Sequence, residues 1–110
     1  RLIELINAER ASQGLRAVQE NSFLNSQAQS WSEQMLGNGK LEHSSWAPEN
    51  LAVYSNSSGV ASIDIAQQFF NQWKNSAPHR QNQLNASVGS IGVGISCSQT
   101  ACFGVTQFAT

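Results

Sequence analysis

The chain has 110 residues and a mass of 11.9 kDa, enough for one domain with a hydrophobic core and too short for two. Charged residues make up only 12%, roughly half the usual share, so the surface must be built from neutral Ser, Asn and Gln. The net charge is −1, the basic residues are scattered from Arg1 to Arg80, and no apolar run approaches the length of a membrane span, which argues against nucleic acid as a partner and against a transmembrane segment.

Residues 2–12 read as a helix with an apolar patch of Leu2, Ile3, Leu5 and Ile6, stopped by Gly14. Leu15–Gln19 is an extended link, with Ala17 and Val18 placed to pair at a sheet edge. Asn21 is a plausible N-cap. After it Leu24, Ala28, Trp31 and Met35 recur at helical spacing until Gly37-Asn38-Gly39. Residues 40–50 are irregular, Leu51–Tyr54 is a short strand, and Ser55–Gly59 is a polar loop. A third helix is expected from about Ser62 to Asn75 on the stripe Ile63, Ala66, Phe70, Trp73, with Ser62 as its cap and Asp64 in its first turn. Pro78 stops it, and 79–85 form one further short turn of helix. Ile91–Cys97 and Cys102–Phe108 are two β-runs. Glycines in the first of them mark a place where a helix or another backbone comes close.

Cys97 and Cys102 flank the short turn between these runs. No second cysteine pair exists for a zinc cage, and the spacing does not suit a redox motif. A hairpin disulfide is the favoured reading, with two free buried thiols as the alternative, and it fits an oxidising compartment. Trp31 and Trp73 sit on helical stripes and read as core. Trp46 is either a cleft wall or a surface plug. The sequons Asn56-Ser57-Ser58 and Asn85-Ala86-Ser87 carry meaning only outside bacteria.

Chemistry must come from a short inventory: two histidines, one aspartate and a few glutamates. Asp64 is taken up by a helix start, there is no Gly-x-Ser-x-Gly elbow, and no His-Glu-x-x-His motif occurs. His43, Glu49 and His79 remain, with Glu42 nearby. Two imidazoles and a carboxylate suit one divalent metal or a proton relay. Spacing alone leaves the plainer reading open, that these are ordinary surface polar groups.

Several segments in chain order resemble one family. They are Ile6-Asn7-Ala8-Glu9-Arg10 with Gly14-Leu15; Leu24, Ala28-Gln29 and Trp31; Leu41-Glu42-His43-Ser44; Glu49-Asn50-Leu51-Ala52; Trp73-Lys74-Asn75-Ser76 with His79-Arg80; and Ile91-Gly92-Val93-Gly94 with Thr106-Gln107-Phe108. Together they are similar to the CAP superfamily of cysteine-rich secretory proteins, antigen 5 and plant pathogenesis-related class 1 proteins, above all to its short bacterial SCP-like extracellular domains.

The resemblance implies an α+β fold, an α-β-α sandwich with an antiparallel sheet between helical layers, filling residues 1–110 as a single secreted, monomeric domain. It also implies a cleft with two histidines and two acids that in some members binds Zn2+ or another divalent cation, and no organic cofactor. Matched positions are His43, Glu49 and His79, all three as metal ligands and as the only catalytic candidates. The second acid is replaced by Ser76, and Pro48 stands where Gly is usual. Loss of one acid favours a binding or interaction module for a protein, lipid or small-molecule ligand. The alternatives are a metal-assisted, peptidase-like hydrolase with Glu49 as base, and a lipid- or sterol-binding module.

Overall fold

A computed structural model describes residues 1–110. The helices are α1 (Leu2–Ser12), α2 (Ser22–Asn38), α3 (Ile65–Lys74) and α4 (Ala77–Gln83), and the strands are β1 (Gln19–Glu20), β2 (Glu49–Ser55), β3 (Ser90–Cys97) and β4 (Ala101–Ala109). The sheet runs in the order β1-β3-β4-β2. Pairing of β2, β4 and β3 is antiparallel, as expected, whereas the two-residue β1 joins β3 in parallel (Gln19↔Ser90), so the sheet is mixed.

Alternation along the strands splits the interior in two. On one face Ile91, Cys102, Phe108 and Ala52 pack with Leu2 and Ile6 of α1 and with Phe69, Phe70 and Trp73 of α3. On the other, Leu51, Phe103 and Val105 pack with Ala28 and Met35 of α2. This is a helix–sheet–helix sandwich. No helix is long and apolar enough to cross a membrane.

Local chemistry explains most boundaries, and several fall elsewhere than the sequence suggests. Asn21 caps α2 by accepting from Leu24 N–H (3.0 Å), and Gly39 closes that helix at φ 68°. Ala17-Val18 does not pair at the sheet edge. Val18 is buried, and its N–H and C=O are both taken by the Asn7 side chain (2.8 and 3.1 Å), so pairing starts only at Gln19. Asp64, rather than Ser62, caps the third helix, accepting from Gln67 N–H at 3.3 Å, and the helix begins at Ile65. Pro78 does more than stop α3: it sits in the first turn of α4, where a missing N–H costs nothing, and α4 covers 77–83. Trp73 is fully buried as expected, but Trp31 is only half-buried.

The glycines of β3 let α2 lie directly on the sheet. A Cβ on Gly92 would stand 2.1 Å from Leu24 C, and one on Gly94 2.3 Å from Ala28 C and Gln29 N. At that range α2 side chains reach the free side of β3. Asn25 Oδ1 accepts from Val93 N–H (2.9 Å) and Gln29 Oε1 from Ile95 N–H (3.1 Å). At the other end of the sheet, Trp73 Nε1–H donates to Leu51 O (2.9 Å) and Gln72 Nε2–H to Val53 O (3.3 Å).

Cys97 and Cys102 are disulfide-bonded across directly opposed positions of β3 and β4, with Cα atoms 4.0 Å apart. The loop is short, so the loop-closure model gives about 2 kcal/mol. Reduction is expected to lower the melting temperature modestly and leave the chain folded at room temperature, as read by circular dichroism with and without a phosphine reductant. Unfolding at room temperature would mean that the bond holds far more than the hairpin end.

Candidate functional site

His43 and Glu49 come together at the start of β2, an outer strand of the sheet. The sequence reading ran its irregular segment through Asn50, but the strand begins two residues before Leu51: Glu49 pairs with Gln107 and Pro48 O accepts from Phe108 N–H at 2.9 Å. Pro48 therefore sits where its missing N–H is not needed, and the chain enters Glu49 in sheet register. Ser45 makes the turn just before it, with φ 68°.

The Glu49 side chain is 1% exposed and holds four donors. Oε2 accepts from Ser44 N–H (2.6 Å) and from His43 Nδ1 (3.0 Å), and Oε1 accepts from Ser44 Oγ–H (2.7 Å) and Gln107 Nε2–H (3.0 Å). Gln107 is held in turn by Gln27 Nε2–H of α2 on its Oε1, at 2.8 Å. A carboxylate offers about four acceptor positions, and here all are used. Nδ1 is the His43 ring nitrogen turned to the carboxylate, and Nε2 has no protein partner. His43 itself is 66% exposed.

His79 arrives from the opposite layer, on α4. Its Nδ1 lies 2.9 Å from Ser76 Oγ, and its carbonyl accepts from Asn50 Nδ2–H (2.9 Å), which ties α4 to β2. Partial burial first, and the nearby His43 charge second, hold the His79 imidazole below its ordinary pKa. The two histidines are 36 positions apart in sequence, one beside the start of β2 and the other on α4. Among His, Cys, Asp and Glu, no three side chains come together as a group able to hold a metal ion. Trp46 lies on the other side of the same loop, edge-on to Trp31 with ring centroids 5.2 Å apart. Sequence reading missed Ser44 and Gln107 as partners of Glu49, and Gln27 as the support of Gln107. The register of β2 with β4 brings Gln107 to Glu49 from 58 positions away.

The family model of CAP, the cysteine-rich secretory protein family, matches residues 3–108. The chain belongs to the CAP family. An uncharacterized protein of Bacillus subtilis, YkwD, is 32% identical over 104 residues, which cover 86% of this chain and 40% of that protein, so the chain spans less than half the length of this relative. Two solved structures share the CAP fold at low identity. An outer surface protein of Borrelia burgdorferi superposes with a TM-score of 0.73 at 16% identity, covering 97% of this chain and 88% of that one. NaASP2 with Zn2+ superposes with a TM-score of 0.81 at 14% identity, covering 98% and 76%. For this CAP chain they establish the architecture, and the residue roles rest on the geometry above.

Proposed function

We propose that this CAP domain is an extracellular binding module whose His43–His79 cleft takes a divalent cation weakly. The observation that carries the reading is the fully occupied Glu49 carboxylate. A group whose oxygens already hold four donors is poorly placed to ligate a metal or to pull a proton from water. It is well placed to orient a neighbouring imidazole from behind, the part that carboxylates play next to histidine ligands. Nε2 of His43 and Nε2 of His79 are then the two protein ligands, with water completing the sphere. A bound cation would supply a positive anchor for a ligand oxygen. The residues fit a labile two-histidine site rather than a closed cage. Secretion is supported by the disulfide, which is at home in oxidising compartments, and by the description of the Borrelia relative as an outer surface protein.

A hydrolase is the second reading, favoured by the Ser76 Oγ that lies 2.9 Å from His79 Nδ1. The pair lacks a third group to orient the imidazole, since the remaining ring nitrogen of His79 has no protein partner. Glu49, the other candidate base, is locked.

Zinc binding is expected to fall when His43 is replaced by Ala, and to weaken below about pH 6, where protonated imidazole cannot ligate. The sign for folding follows from the lowered pKa of His79. The folded state binds fewer protons there than the unfolded chain, so stability is full above the ordinary histidine pKa, about 6.5, and declines as the pH falls through it. Calorimetry at pH 7.5 and 5.5 on both proteins checks the first claim. Equal zinc affinity in wild type and His43→Ala removes His43 from the site. Turnover of a peptide library that disappears in Ser76→Ala would replace the binding-module reading by the hydrolase.

A further inference from the structure

Away from the histidines, a cleft of about 440 Å3 opens between the start of α2, the 46–48 loop, the α4–β3 connection and the end of β4. That volume lies within the range of about 300–1,000 Å3 typical of small-ligand sites. A second depression of about 320 Å3 adjoins it and shares Phe23, Gln27 and Trp46. Two exposed aromatics therefore stand along one continuous trough: Phe23 is 69% exposed and Trp46 46%. Exposing them costs the protein solubility and contributes nothing to its core.

The Trp46 ring is not a loose side chain. It rests edge-on against Trp31, which is itself fixed by an Nε1–H donation to Glu42 O at 2.7 Å, and Trp46 N–H donates to Ser44 Oγ at 3.0 Å. Its own Nε1–H has no protein acceptor. Across the cleft, amides are half-used. Asn82 spends its N–H on Asn50 Oδ1 and leaves its oxygen free. Gln27 donates to Gln107 and likewise leaves its oxygen free. Asn85 accepts from Ser87 through its oxygen and leaves its NH2 free. Neither depression is lined by any Asp, Glu, Lys, Arg or His.

This combination selects a ligand class. An anion would find no cation, and an acyl chain would bury the free amide groups without partners, at a cost. A pyranose ring has an apolar C–H face to lay on an aromatic plane and a rim of neutral donors and acceptors for amides. An N-acetyl group adds one N–H and one C=O, complementary in kind to a free amide oxygen of Gln27 or Asn82 and to the free Asn85 NH2. We propose that the Phe23–Trp46 trough is a binding site for a neutral, N-acetylated oligosaccharide, independent of the histidine cleft.

The test is calorimetric and fluorescence titration of the intact chain with tri-N-acetylchitotriose in EDTA, so that no cation at the imidazoles contributes. Saturable binding with a blue shift of tryptophan emission is expected. Affinity should fall about tenfold or more in Trp46→Ala and several-fold in Asn82→Ala. Phe23→Ala serves as a second variant, and thermal melts confirm that each remains folded. Absence of saturable binding at millimolar sugar, or affinity unchanged in both Trp46→Ala and Phe23→Ala, overturns the proposal. So does preferential occupation of the trough by monomeric dodecylphosphocholine, which would make it a lipid site.

Discussion

Replacing Arg10 by Met is expected to remove about 2–4 kcal/mol of stability, a large fraction of what a domain of this size possesses. Arg10 is 0% exposed and has no carboxylate partner. Its guanidinium donates instead to main-chain carbonyls: Nε–H to Arg16 O (2.9 Å), Nη1–H to Gln83 O (2.8 Å) and Asn85 O (3.0 Å), and Nη2–H to Val88 O (3.4 Å). Burial and the neighbouring Arg16 charge lower its pKa, but a guanidinium remains protonated at any working pH. One side chain thus gathers the exit of α1 and the whole α4–β3 connection. Methionine fills the space yet takes this donor from the buried Gln83 and Val88 carbonyls, each a cost of order 1–3 kcal/mol, while the part-buried Arg16 and Asn85 carbonyls lose a charged partner that water can replace. Arg10→Lys is expected to recover less than half the loss, because an ammonium cannot span the same carbonyl set. Urea melts measure both. A Met variant within about 1 kcal/mol of wild type would show that water can satisfy the connection instead.

Gly94→Ala is expected to cost at least about 3 kcal/mol, the upper end for overpacking a core. The new methyl would stand 2.3 Å from the backbone of Ala28 and Gln29, so a helix, not a rotamer, has to move. Displacing α2 also loosens the Gln29 bond to Ile95 and the Gln27–Gln107–Glu49 relay behind His43. The melting temperature should drop by more than about 10 °C. The matched control is Gly37→Ala, where a Cβ meets nothing within 4 Å and the helical preference for Ala contributes up to about 1 kcal/mol in its favour. Equal melting of the two variants would mean that α2 rides freely over β3.

What the sequence discloses is what local chemistry decides. The Asn21 cap, the Gly39 stop, the stripe through Leu24, Ala28 and Met35, and the disulfide all depend on neighbours within a few positions. The close approach at Gly92 and Gly94 is also legible, because glycine inside a strand has few other uses. The role of Glu49 is not: its burial depends on β4 pairing with β2 from the far end of the chain, and Gln107 offers no signal of its own. Arg10 is hidden for the same reason, since its acceptors lie 6 to 78 positions away and carry no side-chain mark. Asp64 displaces Ser62 as a cap because both are good capping residues two positions apart, and the packing of Phe69 and Trp73 decides between them.

The side-chain amides and indole that occupy the main chain at the two flanks of the sheet have a consequence for how copies of the chain meet one another. A short β1 leaves the rest of β3 without a neighbouring strand, and an unprotected strand of that kind recruits other chains by continuing the ladder. Here Asn25 and Gln29 already sit on the N–H groups of Val93 and Ile95, and Trp73 and Gln72 on the carbonyls of Leu51 and Val53. An incoming strand would have to evict a helix to find partners. A protein with few charges to keep its copies apart thereby resists polymerisation through geometry.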